Sequence, residues 1–508
     1  MRPDRSVLRP QAAARSVALP ASAAVPVRRT LVLAACLMAT FMAAVESTIV
    51  ATAMPTIVAN LGGFNLFSWV FAVYLLTQAV SIPVYGRLAD IYGRKAVFYA
   101  GAGLFLVGST LCGFAPSMLW LVLFRALQGF GAGGVQPIAM TICGDIYTPS
   151  ERAKVQGLIS SVFGIAAVVG PSLGAFLVQH VAWQVVFWVN LPVGAAAILM
   201  ISAFLHEDVQ TRAHRIDYLG SLLMMLGIGA LMLVLIQGGS LPRPHALAIG
   251  ALGVLALAAL LLHEARTPEP MLALELWRDR VIVVGSLGGG LAGAVMMGVS
   301  AFLPTYVQGA MGRTPIMAGL VLGAMSVTWA IASILGGRLM VRTSYRLAAI
   351  LGACSLIAGT AVLVGLTPAR GVPWATVGSL VIGIGMGLCN TAFIVSIQAA
   401  VAWGKRGAAT STCLFMRFIG QALGAASFGA VLNATILQRA PDAGHLVDRL
   451  MEPTLRASLA PEAQARLVGL ISAGLHNAYW LACLLSVATL ALVMFLPARL
   501  SPAQQTLR

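Results

Sequence analysis

Long apolar stretches alternate with short polar connectors along almost the whole chain. Fourteen can be delimited: 30–51, 67–88, 96–114, 118–142, 155–178, 184–205, 217–237, 246–263, 281–307, 316–340, 346–366, 374–400, 408–437 and 477–497. A helix rises about 1.5 Å per residue, so about 20 apolar residues cross a hydrocarbon core of roughly 30 Å. The pattern predicts an all-α integral membrane protein with 14 transmembrane helices. One connector, 438–476, is long and mixes Pro, charge and Leu. Within it, 461–475 has amphipathic helical spacing. A solvated connector is preferred there over a helix lying across the outer mouth.

The glycines add an internal repeat. Gly86, Gly133, Gly157, Gly170 and Gly174 recur as Gly336, Gly383, Gly407, Gly420 and Gly424, each at the same offset. That offset maps helices 2, 4 and 5 onto helices 10, 12 and 13, so the halves share one orientation. The expected organisation is a disordered cytoplasmic tail (1–29) and a six-helix bundle (30–205). A linker with two extra spans (206–280) follows, then a second six-helix bundle (281–497) and a short tail (498–508).

Composition removes other classes. The 508 residues are 59% hydrophobic and only 9% charged, whereas soluble domains run near a quarter charged. The net charge of +16 raises nucleic acid as a partner. The cations are scattered through connectors and form no patch, so no nucleic acid is expected. With the amino terminus in the cytoplasm, 23 of the 32 Lys and Arg fall in cytoplasmic segments and 7 outside. This is the positive-inside distribution. It places both termini of a multi-pass membrane protein in the cytoplasm. The seven cysteines and seven histidines show no metal-ligand spacing, so no metal is expected. No phosphate-binding Gly-x4-Gly-Lys-Ser/Thr sequence is present, and no cofactor is implied.

Against this background a single carboxylate, Glu46, stands inside an apolar stretch. An ionisable group in hydrocarbon is costly and marks a functional site by default. A lone acid of this kind suggests a group that takes up and releases a proton. Arg125, in the fourth stretch, stays charged at any accessible pH and needs a partner. Counted from the helix ends, Glu46 lies about 22 Å above the cytoplasmic surface and Arg125 about 10 Å below the outer one. The depths agree, so the two are expected to interact. Burial opposes the Glu46 charge and the arginine favours it, so a motion that alters both would drive proton binding and release. Arg417 is a second intramembrane cation, about 14 Å from the cytoplasmic side, with no matching acid. Gln128, Gln136, Asn390, Gln398, Arg417 and Gln421 are candidates to line a substrate cavity. One acid against two arginines suggests monocationic, neutral or anionic amphiphiles.

Three glycine-rich segments complete the picture. GRLADIYGRK (86–95) places Asp90 among the cations Arg87, Arg94 and Lys95 at a membrane surface. Gly86 and Gly93 permit close approach and a tight turn. Gly86, Asp90, Gly93, Arg94 and Lys95 are expected to form a cytoplasmic gate holding the two halves together. LVLFRALQGFGAGG (121–134) removes side chains so that other helices approach closely. VFGIAAVVGPSLGAFL (162–177) places Gly170, Pro171 and Gly174 where they bend a helix and open a groove.

These segments resemble signatures of the major facilitator superfamily. Residues 86–95 are similar to its loop 2–3 signature, with Ile91 where a basic residue is usual. Arg125, Gln128, Gly129 and Gly131 match its helix-4 motif. Residues 162–177, with Gly157, resemble the helix-5 motif associated with antiporters, although Ala166 and Ala175 replace glycines. ESTIVATAMPTI (46–57) and WVNLPVG (188–194) look like signatures of the fourteen-helix drug:proton antiporter family, in which an acid at the Glu46 position is expected. The resemblance implies two parallel six-helix repeats plus two inserted helices, working by alternating access. It implies a proton-driven antiporter, not an enzyme, that exports small amphiphilic compounds across the inner membrane. A proton-coupled importer and a lipid or lipid-conjugate translocase stay open as alternatives. No periplasmic or outer-membrane partner can be read from the residues.

Overall fold

The computed structural model describes residues 29–147, 149–207, 217–239, 241–267, 274–401, 406–440 and 460–497. The tails 1–28 and 498–508, and the centre of the long connector, lie outside the described residues. The ordered chain is a succession of helices: α1 (Arg29–Leu61), α2 (Phe67–Tyr92), α3 (Arg94–Gly113), α4 (Met118–Ile146), α5 (Pro149–His180) and α6 (Val185–Phe204). Two more follow, α7 (Tyr218–Gln237) and α8 (Arg243–Glu264). The second set is α9 (Arg280–Thr305), α10 (Pro315–Arg342), α11 (Tyr345–Val364), α12 (Gly371–Ala400), α13 (Arg406–Arg439) and α14 (Pro461–Val493). Thirteen are long and apolar enough to cross a membrane, and the 32-residue α5 fills the remaining place.

Helix starts follow local chemistry. Asp217, Asp279, Thr314 and Ser344 each accept a backbone N–H of the first turn they precede, satisfying a donor that has no partner inside the helix. Gly93 separates α2 from α3 at φ 87°, a conformation that L side chains rarely adopt. One expectation is corrected. The segment 461–475 is neither a solvated connector nor a separate surface helix, because α14 runs without a break from Pro461 to Val493. The preceding α13 extends to Arg439. Only 441–459 of the expected long loop lies outside the described residues.

The packing reproduces the repeat helix by helix. In the first half α4 packs on α2 and α3, and α1 packs on α4, α5 and α6. In the second half α12 packs on α10 and α11, and α9 packs on α12, α13 and α14. Each pair maps to its counterpart by a shift of eight helices. The glycine register has a matching physical basis. A Cβ at Gly133 would meet Ser81 and the Gln78 carbonyl on α2, and one at Gly383 would meet Thr328 and the Met325 carbonyl on α10. Between halves, α2 packs on α13 and α10 on α5, the same contact made twice. The inserted α7 covers the α2/α13 seam, and α8 packs on α7. The most apolar window of α8 is 17% buried against 78% in α9. An apolar helix so exposed is satisfied in lipid, where its backbone groups are already paired.

The halves meet closely towards the face that carries the α1–α2 and α9–α10 connections. Phe67 on α2 packs against Phe302 on α9, with ring centroids 5.0 Å apart. Asn433 Nδ2 on α13 donates to the Asn65 carbonyl at 3.2 Å. Gln308 lies in a single π turn, Tyr306–Ala310, that ends α9. Its Nε2 donates to the Thr52 carbonyl on α1 at 3.2 Å. At the opposite face, near the α2–α3 turn, a Cβ added at Gly86 would meet nothing within 4 Å.

Candidate functional site

The expected partners do meet. Arg125 on α4 donates through Nη1 to Glu46 Oε1 on α1, and the two side chains are 1% and 0% exposed. The same Nη1 reaches Gln128 Oε1 at 2.8 Å, one turn along α4. Arg125 Nε donates to the Val70 carbonyl on α2 at 3.2 Å, and the guanidinium lies 4.0 Å above the Tyr74 ring. The second Glu46 oxygen accepts from Asn190 Nδ2 of α6 at 2.5 Å. Asn190 also donates to Ser109 Oγ on α3 at 3.0 Å. Gln128 Nε2 donates to the same hydroxyl at 3.1 Å, and Ser109 donates to the Phe187 carbonyl at 2.7 Å. Five helices of the first half are thus tied through one buried ion pair.

Such a pair holds its geometry only if nearly every donor and acceptor is satisfied, because desolvation otherwise exceeds the Coulombic gain. Here both carboxylate oxygens and two of the three guanidinium nitrogens have partners. Gln128, a candidate cavity residue by sequence, is fully buried in this network. Asn190, Ser109 and Tyr74 were not singled out by sequence. Asn190 falls inside WVNLPVG, where an amide amid apolar residues was the available signal.

The helix-5 glycines face α1. A Cβ at Gly170 would lie 2.0 Å from Thr48 Oγ1, and one at Gly174 would lie 2.6 Å from the Ile49 carbonyl. Their groove is therefore filled by the helix that carries Glu46. The Pro171 carbonyl faces the other half, 2.7 Å from where a Cβ on Gly319 of α10 would sit. Gly157 lies within α5, but its surroundings lie outside the described residues.

Around the loop signature, among the described residues, α3 meets α4 and the end of α6. Glu207, just past α6, accepts the backbone N–H groups of Arg94 and Lys95, both at 2.8 Å. This places a carboxylate at the start of α3, where the helix dipole favours negative charge. Arg94 Nε pairs with Asp145 of α4 at 3.1 Å, and Lys95 Nζ donates to the Ser202 and Leu205 carbonyls, both at 2.8 Å. These contacts brace the first half internally. The Asp90 side chain lies outside the described residues. Sequence reasoning passed over Glu207 and Asp145 because charges beside apolar runs read as ordinary connector residues.

The remaining candidates divide. Gln136 is 8% exposed on α4. Gln398 Nε2 on α12 donates to Thr410 Oγ1 on α13 at 3.1 Å, an interhelical tie. Asn390 on α12 accepts from Arg417 Nη1 of α13 at 3.1 Å. Among the described residues Gln421 has only the Met296 sulfur, 3.9 Å from Nε2. Among the described residues no group of three or more His, Cys, Asp or Glu side chains could hold a metal ion.

Residues 36–425 match the family model described as Major Facilitator Superfamily. The chain belongs to the Major Facilitator Superfamily. Like other members it is a multi-pass membrane transporter and not an enzyme. It is 33% identical over 410 residues to "Multidrug transporter protein MdtP" of Bacillus subtilis, covering 80% of this chain and 76% of that protein. It is also 33% identical to "Multidrug resistance protein 3" of the same organism, covering 80% of each. Among solved structures, a bacterial homolog of the human lysosomal transporter Spinster superposes with TM-score 0.67. That match has 18% identity and covers 93% of this chain and 99% of the other, so it speaks for the superfamily fold alone.

Proposed function

We propose that this transporter is a proton-driven antiporter that exports amphiphilic compounds across the inner membrane, with both termini in the cytoplasm. The observation that carries the reading is the buried Glu46–Arg125 pair with Asn190 on the second carboxylate oxygen. The multidrug relatives support export as its direction.

Glu46 is the proton carrier and Arg125 its tuning partner. While ionised, Glu46 accepts from Arg125 on one oxygen and Asn190 on the other. Protonation turns an acceptor-only group into one that also donates and removes the charge that Arg125 neutralises. Gln128 Oε1, already 2.8 Å from Nη1, remains to hold the guanidinium. The helices joined at Ser109 and Val70 then feel the change together. The α5 segment Gly170, Pro171 and Gly174 touches α1 on one side and α10 on the other. It couples the proton site to the interface between halves, which rock about it. Gly93, Arg94 and Lys95, with Gly86 and Asp90, form the cytoplasmic gate region, braced by Glu207 and Asp145.

Substrate-induced proton release in inside-out vesicles tests the reading. Wild type releases protons when substrate is added, and Glu46→Gln folds and binds substrate but releases none. Uphill export at the wild-type rate by that variant would sink the proton-carrier assignment.

A further inference from the structure

The two intramembrane arginines occupy opposite electrostatic situations. Arg125 is neutralised by Glu46, donates also to Val70 and Gln128, and lies over the Tyr74 ring. Arg417 carries the same five donors. Among the described residues it makes one hydrogen bond, from Nη1 to Asn390 Oδ1. Its Nε is buried without a hydrogen-bond partner, and among the described residues no carboxylate forms an ion pair with it. Its guanidinium lies 5.4 Å from the Phe418 ring centroid.

The internal repeat sharpens the contrast. At the offset relating the glycines, the position equivalent to Arg125 is Ala375. The second half therefore lacks the arginine of a counterpart pair. Its cation stands on α13, the helix equivalent to α5. It is held against α9, where a Cβ at Gly293 would come 2.8 Å from the Arg417 carbonyl and 3.2 Å from its Cγ. Gly293 thus makes room for this side chain, and Gln421 stands one turn further along with only a sulfur acceptor. A part-buried guanidinium with a buried, unpartnered Nε and no carboxylate beside it among the described residues calls for an anion.

We infer that Arg417 anchors an anion subsite in the second half. Asn390 orients the guanidinium and Gln421 supplies an amide donor. The cargo is then an amphiphile bearing one oxyanion headgroup, with carboxylate matching the planar fork of arginine. This inference rests on the export reading and names its substrate class. Phe418 and Met296 supply apolar surface beside the headgroup for the hydrophobic body.

The test is a binding measurement, independent of proton coupling. Purified full-length protein in phosphatidylcholine nanodiscs is titrated with a dansyl-labelled ten-carbon carboxylate, its uncharged methyl ester and the corresponding trimethylammonium amphiphile. Wild type should bind the carboxylate more tightly than the other two. Arg417→Gln should weaken the carboxylate by roughly ten- to a hundredfold, the scale of one charge-assisted hydrogen-bonded contact, and leave the ester unchanged. Arg417→Lys, which keeps the charge and loses the fork, should fall between and confirms that the fold tolerates the site. Equal loss of carboxylate and ester in both variants would mean a packing role and overturn the inference. So would preference for the trimethylammonium compound, or no saturable carboxylate binding. Repeating the titration with phosphatidylglycerol in the disc separates two sources of the same chemistry. Competition identifies a lipid headgroup as an occupant, and its absence leaves a free amphiphile. Loss of proton release in Glu46→Gln with carboxylate selectivity intact separates the coupling claim from the cargo claim.

Discussion

At the scale of single residues, the proton site is a network and not a pair. Asn190 is the test of that statement, because it addresses the Glu46 oxygen that Arg125 Nη1 does not reach. Asn190→Ala removes a donor from a buried carboxylate and should destabilise the protein by about 1–3 kcal/mol. Its thermal unfolding in detergent should shift down accordingly. Arg125→Lys should be worse for transport than for folding, since a point charge cannot donate to Glu46, Gln128 and the Val70 carbonyl in one plane. Uphill export should fall at least tenfold while size-exclusion behaviour stays normal. Wild-type export by Arg125→Lys would show that charge alone suffices. The charged members of this network were legible in the sequence because charge is rare in apolar stretches and helix depth is countable. The neutral members were not. An amide such as Asn190 or Gln128 carries no mark of whether it faces a cavity or another side chain.

At the scale of helices, close approach at glycine decides where packing is rigid. On α4, a Cβ at Gly131 would lie 2.2 Å from the Phe105 backbone nitrogen on α3. Gly131→Leu should therefore force α3 and α4 apart, costing at least about 1–3 kcal/mol, and should abolish a monodisperse elution peak. Gly86→Leu is the control, because nothing lies within 4 Å of its Cβ position, and it should elute normally. A monodisperse Gly131→Leu protein would contradict the packing described. Helix existence was readable from hydropathy, and ends were not. The last helix spans 33 residues, about 50 Å at the usual rise, well beyond the hydrocarbon core. Hydropathy marks the membrane, while helical hydrogen bonds continue into water. Glu462, Gln464 and Arg466 therefore read as part of a connector when they lie in the first turns of a helix.

At the scale of the whole molecule, the repeat gives two halves of like packing that meet through a repeated pair of helix contacts. The contacts α2–α13 and α5–α10 are one interface used twice, so sliding at one must be matched at the other. The halves also touch through Gln308 and Thr52, Phe67 and Phe302, and Asn65 and Asn433. If transport proceeds by rocking, these contacts at the α1–α2 face must part in each cycle. Replacing the seven native cysteines and introducing Asn65→Cys with Asn433→Cys allows that face to be closed by oxidation or a short bis-maleimide. The cross-linked protein should lose more than about nine-tenths of its export, and reduction of the disulfide should restore it. Substrate should still bind, since the face near Gly86 and the α2–α3 turn is left untouched. At the opposite end, Arg94 and Lys95 of the expected gate meet Glu207 and Asp145. The cross-link separates these two ends of the molecule. Full export with the α1–α2 face locked would mean that substrate does not leave between the halves, and the rocking mechanism would have to be abandoned.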